Sequence, residues 1–219
     1  MGEFPQIISV DGNIGVGKST FLDHLIEFYK DDPTVVILKE PVEKWSTLMD
    51  PDTDSSLLES YYASPITYAF PFQVYAFQTI IQSIDEAIAA HPECRTLICE
   101  RSILSSCEVF AKMLHDHEIM NPLEYQIYLN MFSLVPNIEK YIPVKLFYLR
   151  LDAYTCHERV MERERKGEDD ISMDYLEECN LYFEKWLKDT KIEYRIHDLE
   201  MEPKLEQIRA TFIKFKGAT

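Results

Sequence analysis

The chain has 219 residues, 46% of them hydrophobic, which suits one domain with a sizeable core. Its formal net charge is −16, with 38 Asp and Glu against 22 Lys and Arg, and this argues against nucleic acid or an anionic membrane as partner. No apolar run reaches the roughly 18 residues of a membrane span. The five cysteines (Cys94, Cys99, Cys107, Cys156 and Cys179) are odd in number and lack C-x-x-C spacing, as expected of reduced thiols with no zinc site.

The chain enters a strand almost at once, over residues 6–10, with no signal or transit peptide in view, so a cytoplasmic location is expected. The next residues, Gly12, Asn13, Ile14, Gly15, Val16, Gly17, Lys18 and Ser19, satisfy the phosphate-loop pattern G-x-x-x-x-G-K-[ST], and Thr20 begins an amphipathic helical run. Strand, glycine-rich loop and helix in that order let backbone N–H groups curl around a phosphate chain. Lys18 then reaches the outer phosphates and Ser19 ligates Mg²⁺. A nucleoside triphosphate site follows. Further strands are predicted over residues 34–38, 96–99, 144–149 and 193–196, alternating with helical patterns over 67–90, 121–135 and 173–187. That alternation predicts an α/β fold with a parallel sheet. Residues 157–170 are so charged that they read as a solvated helix end and loop. No repeat or linker interrupts the chain, so residues 1–219 are read as a single domain.

Parallel sheets bind ligands beyond the carboxyl ends of their strands. The residues placed there are Asp11, Glu40, Glu100 with Arg101, Arg150 and Asp198. Pro41 holds Glu40 out of helical geometry, and a fixed carboxylate at a strand end suits a general base toward a hydroxyl; it reads equally as a surface Glu before a turn. Glu100 suits the Mg²⁺ side of a phosphoryl-transfer site and Arg101 an anion or hydroxyl clamp, with a structural salt bridge as the alternative. Arg159 and Arg163, four apart, share a helix face that could close over phosphates, with Arg165 nearby. Glu158, Glu162 and Glu164 are equally placed to pair with them. Trp45, Tyr62, Tyr68, Phe72 and Phe110 read first as core. Gln73, on an apolar helix, needs partners that a nucleobase edge would supply.

Taken in order, these segments resemble one family, the cellular-type deoxyribonucleoside kinases, which include deoxycytidine kinase, deoxyguanosine kinase, mitochondrial thymidine kinase and the insect deoxynucleoside kinase. The motifs are GNIGVGKST, EPVEKW, Tyr62 eleven residues before Gln73 in YASPITYAFPFQVYA, then ERSILSS, and a lid over about residues 159–170 followed by Tyr175 and Leu176. The resemblance spans nearly the whole chain. It implies a P-loop kinase fold, a five-stranded parallel sheet flanked by helices with an Arg-rich lid, in a homodimer. It also implies ATP-dependent 5′-phosphorylation of a deoxyribonucleoside with Mg²⁺. On the residues, it implies that Glu40 is the general base toward the 5′-hydroxyl, that Arg101 holds that hydroxyl, and that Ser19 and Glu100 serve Mg²⁺. Trp45, Phe72 and Phe110 would box the base, Tyr62 and Glu168 would hold the 3′-hydroxyl, and Arg159, Arg163 and Arg165 would meet the donor phosphates beside Lys18.

Two positions bear on the base. Members preferring deoxycytidine or purines pair an Arg beyond the Gln with an Asp after the ERS motif. Those places here hold Ile80 and Ser106, as in thymidine-accepting members. Apolar Ile80, small Ser106 and small Ala76 leave room for a 5-methyl group without an unpaired charge. Gln73 can serve thymine or cytosine in its two orientations. Pyrimidine deoxynucleosides, thymidine included, are therefore expected. Cys107 departs from the family's usual Arg, and the adenine-facing loop is loosely echoed by residues 198–203. A nucleoside monophosphate kinase such as thymidylate kinase would need a cation where Glu40 stands. A GTPase-like switch would need the absent N-K-x-D motif, and a non-catalytic module would bind nucleotide without turnover.

Overall fold

The computed structural model describes residues 4–217. Five strands, β1 (Gln6–Gly12), β2 (Val35–Leu38), β3 (Thr96–Glu100), β4 (Lys145–Arg150) and β5 (Glu193–Asp198), form one sheet in the order β2-β3-β1-β4-β5, with every neighbouring pair parallel. The five expected strands are all present. Four run one or two residues further than expected, to Gly12, Glu100, Arg150 and Asp198, which carries Glu100, Arg150 and Asp198 into the strand ends.

Side chains alternate across the sheet with the period of two that strands impose. Ile8 and Val10 of β1 and Ile98 of β3 face one apolar layer, with Phe21, Leu22 and Leu25 of α1 (Lys18–Tyr29), Phe183 of α9 (Met173–Asp189) and Phe212 of α10 (Leu205–Gly217). Ile7, Leu97 and Cys99 face the other, with Phe77 and Ile84 of α4 (Pro65–Ala90) and Tyr128 of α7 (Pro122–Leu134). Each fully buried large apolar side chain contributes roughly 1.5–3 kcal/mol. The two layers clamp the sheet and leave its carboxyl edge as the place where loops meet.

Four short elements crowd that edge: α2 (Val42–Thr47), α3 (Leu57–Ala63), α5 (Ile103–Ser105), and a π-helical turn at Ser106–Ala111 that runs on into α6 (Lys112–Asp116). None carries enough hydrophobic period to announce itself in sequence. The charged stretch after β4 is a helix end followed by a loop, as expected, but the helix starts earlier. That helix is α8 (Ala153–Glu162), capped by Asp152, whose side chain accepts from Thr155 N, with Ala153, Cys156 and Val160 buried. Its charges occupy the outer face and hide the three inward positions. All five cysteines are buried and unpaired. Among the described residues, no helix is long and apolar enough to cross a membrane.

Candidate active site

One cavity of about 640 Å³ opens along the carboxyl edge. Its phosphate end is built mainly from backbone. Gly15 (φ +80°) and Gly17 (φ +103°) adopt left-handed geometry, and a Cβ on Gly15 would lie 2.3 Å from the Cys156 carbonyl oxygen. Ile14 through Thr20 line the wall, whereas Gly12 and Asn13 lie beneath it. The Asn13 amide donates to Leu176 O (2.8 Å) and Asn180 Oδ1 (2.9 Å) and accepts from Ile14 N, so it braces the loop on α9 rather than facing a ligand. Lys18 Nζ folds back over the loop onto Asn13 O at 2.8 Å and Gly12 O at 3.2 Å. Burial, and then the nearby Arg101, pull its pKa down to about 8.

Glu40, Glu100 and Arg101 converge beside the loop. Arg101, the residue after β3, is in a left-handed conformation (φ +63°), an uncommon strain for a non-glycine residue. The strain turns its side chain back under the loop. Nε meets Glu40 Oε1 at 2.9 Å, Nη1 donates to Gly12 O at 3.0 Å, and the guanidinium lies over Phe110, 4.6 Å from the ring centre. Burial raises the Glu40 pKa above the usual carboxylate value, an effect that Arg101 opposes and Glu100 reinforces. Ser19 Oγ donates to Glu100 Oε1 at 2.8 Å. Asp11 is sealed beneath, with Oδ2 accepting from Ser9 Oγ at 2.6 Å and Oδ1 unpartnered; burial raises its pKa as well.

The other end of the cavity is aromatic. Trp45 is pinned by its Nε1 to Thr79 Oγ1 (2.9 Å) and meets Phe72 edge-on, with ring centres 5.3 Å apart. Tyr62, Gln73, Ala76, Ser106 and Phe110 line the same space. Gln73 is buried, yet its amide has no protein partner among the described residues. Ile80 departs from expectation. The cavity ends at Ala76, and a turn further along α4 Ile80 is sealed in the apolar core. Leu58, Tyr61 and Tyr175 line the cavity without having been singled out for it. Tyr61 stacks flat on Phe72 (4.4 Å, 6°), and its hydroxyl lies 3.1 Å from that of Tyr175. The doublet Tyr61-Tyr62 at the end of one helix, on a chain rich in tyrosine, gave no signal separating these wall residues from core.

The arginines divide. Arg159 Nη1 donates to Val16 O at 3.0 Å, at the loop itself. Arg163 does not share that contact, because α8 ends at Glu162 and the chain turns away. Arg163 Nε donates to Glu168 Oε2 at 2.6 Å, and Arg165 Nη1 to Glu168 Oε1 at 3.0 Å. The partner of these two arginines is thus the buried Glu168, not Glu158, Glu162 or Glu164. Six cations (Lys18, Lys39, Arg101, Arg159, Arg163, Arg165) face three carboxylates (Glu40, Glu100, Glu168) around the cavity, so an anion is the ligand that the charge favours.

A parallel α/β sheet, a phosphate loop at the end of β1, a strand-end acid next to the loop serine and an arginine-bearing segment together define a phosphotransferase of the P-loop kinase class. Comparison with known proteins narrows this. The model of the deoxynucleoside kinase family matches residues 8–214. The chain is 30% identical over 215 residues to deoxycytidine kinase 2 of Gallus gallus (90% of this chain, 79% of the relative). It is 30% identical over 213 residues to the mitochondrial deoxyguanosine kinase of Xenopus laevis (90% and 79%) and over 196 residues to the deoxycytidine kinase of Homo sapiens (82% and 74%). The chain belongs to the deoxynucleoside kinase family, and its activity is that of a deoxynucleoside kinase. A kinase family implies ATP as the phosphoryl donor.

Proposed function

We propose that the protein, read as one kinase domain over residues 1–219, phosphorylates the 5′-hydroxyl of pyrimidine deoxynucleosides, thymidine among them. The observation that carries the base preference is the unpartnered Gln73 amide in a cavity whose neighbouring walls are small (Ala76, Ser106) and uncharged. A pyrimidine presents adjacent donor and acceptor edges that a single amide can satisfy. Trp45, Phe72 and Phe110 supply the apolar box, with Tyr61 backing Phe72.

In this reading Glu40 accepts the 5′-hydroxyl proton as the 5′-oxygen forms its bond to the γ-phosphorus and the bond from that phosphorus to the β-bridging oxygen breaks. ADP leaves with the electron pair. Arg101, already tied to Glu40, orients the carboxylate and holds the acceptor oxygen. Loop N–H groups, Lys18, Arg159, Arg163 and Arg165 meet the phosphate charge as it moves. Ser19 and Glu100 bring a hydroxyl and a carboxylate oxygen to one point beside the loop, a hard donor pair that fits Mg²⁺. When bound, Mg²⁺ supplies charge neutralisation at the β- and γ-phosphates. Glu168 and Tyr62 hold the 3′-hydroxyl; a carboxylate has lone pairs enough to keep its arginines and take one more donor.

The homodimer rests on α7, which buries only Tyr128 fully while leaving Leu123, Ile127, Leu129 and Leu134 exposed. The buried, unpaired cysteines fit a reducing compartment.

The test is turnover with Mg-ATP against thymidine, deoxycytidine, deoxyadenosine, deoxyguanosine and thymidine monophosphate, following product phosphates directly. Thymidine and deoxycytidine are expected to lead, with the monophosphate untouched. Purines leading would overturn the base reading, and use of the monophosphate would overturn the acceptor site.

A further inference from the structure

Helix α3 carries Leu58, Tyr61 and Tyr62 into the nucleoside end of the cavity, while the segment after α8 carries Arg163 and Arg165 to the phosphate side and Glu168 to the sugar between the two. The two meet at Glu59, which does not itself line the cavity. Its carboxylate is divided between two tasks. Oε2 accepts from Ser56 N at 2.7 Å while Glu59 N donates to Ser56 Oγ at 3.2 Å, a capping box that starts α3. Oε1 pairs with Lys166 Nζ at 2.7 Å. The neighbouring Gly167 is left-handed (φ +88°) and presses so closely on the helix that a Cβ there would lie 2.9 Å from both Cα and Cγ of Glu59. Backbone contact and ion pair thus fasten residues 166–167 to the start of α3, immediately beside Glu168.

We propose that Glu59 is a positioning residue for phosphoryl transfer: it clamps the arginine-bearing segment onto the helix that walls the nucleoside. The clamp sets Arg163 and Arg165 at the donor phosphates and keeps water from the transferring group. The proposal rests on the reading of those arginines as donor-phosphate ligands. Acceptor and donor subsites then share one mechanical support, although Glu59 touches neither substrate.

Glu59→Gln separates the two tasks. A glutamine at this helical position keeps the capping box by turning its oxygen to Ser56 N, which leaves its NH₂ facing the Lys166 ammonium, donor against donor. Steady-state kinetics of the full chain, using its best deoxynucleoside, would be combined with a count of ADP formed per nucleoside monophosphate. We expect the ATP KM to rise about fivefold, the scale of an exposed ion pair. The nucleoside KM should rise less, by about twofold, through the neighbouring Glu168 at the sugar, and ADP should exceed product as water competes. Lys166→Ala should do the same, and the double variant no more than either single one. Gly167→Ala, which forces a side chain into left-handed geometry against α3, should raise the ATP KM by at least about tenfold.

A rise in nucleoside KM with the ATP KM unmoved would reduce Glu59 to a helix cap and overturn the proposal. Wild-type ATP KM and wild-type ADP yield in all four variants would do so as well. Arg163→Ala serves as the control for the underlying reading: an unchanged ATP KM there would remove the arginines from the donor site, whatever the Glu59 variants show.

Discussion

The two ends of the cavity are built on different principles. At the phosphate end the wall is mainly main chain held by glycine geometry, with one lysine folded over it and Arg159 set against Val16 O. At the nucleoside end it is made of side chains from α2, α3, α4 and the π-helical turn, held by aromatic contacts and by bonds such as Trp45 to Thr79. Backbone recognition tolerates little substitution but reads any phosphate chain. A side-chain box can change its ligand one residue at a time. At the seam between them Arg101 joins Glu40 to the loop carbonyl of Gly12.

Substitutions at the two ends should accordingly fail in different ways. The largest effect is expected from Gly15→Ala, because its Cβ would meet the Cys156 carbonyl at 2.3 Å where only main chain can yield. Turnover and ATP binding should both be lost, with a Tm drop measured on the same protein. At the seam, Glu40→Gln should cut kcat by at least about a hundredfold, the scale of general-base catalysis, while nucleoside binding by calorimetry persists. Burial raises the Glu40 pKa, so wild-type kcat/KM should fall on the acid side through an apparent pKa above the ordinary carboxylate value. The Gln variant should lack that limb.

In the box, Ser106→Asp with Ile80→Arg should lower thymidine use relative to deoxycytidine by about tenfold or more, read as a kcat/KM ratio. Only Ser106 faces the cavity, so Ile80→Arg alone should chiefly destabilise the core. The smallest effect lies outside both ends. Asp152→Ala removes the cap of α8 and should cost about 1 kcal/mol in urea unfolding at neutral pH. The Asp152 pKa is lowered by its bonds to Thr155, so the stability it contributes is present above the ordinary Asp value and is lost as pH falls through its lower folded value. The gap between the two proteins should therefore close in acid.

The same contrast governs what the sequence disclosed. The loop, the strands and the acids after them are local features: a glycine pattern, a short run of four to seven residues and a charge at or just past its end, each fixed within a few positions. The ion pairs of the arginine segment were not legible, because Glu168 reaches Arg163 and Arg165 only once the chain turns back after Glu162. Ile80 misled for a related reason. Spacing along α4 gives a face but not where the cavity stops, and the helical segment after β3 decides that. Tyr61 and Tyr175 touch across 114 positions of chain, and no periodicity encodes that contact.

The cluster of six cations carries one more consequence. It is a small positive well in a molecule of net charge −16, so an approaching polyanion meets two opposing fields in turn. Beyond a Debye length, about 10 Å at 0.1 M salt, the surface repels it; inside, the well captures it. Added salt therefore speeds encounter while loosening the bound state, and the ionic strength of the cell sets the balance between how fast the donor arrives and how long it stays.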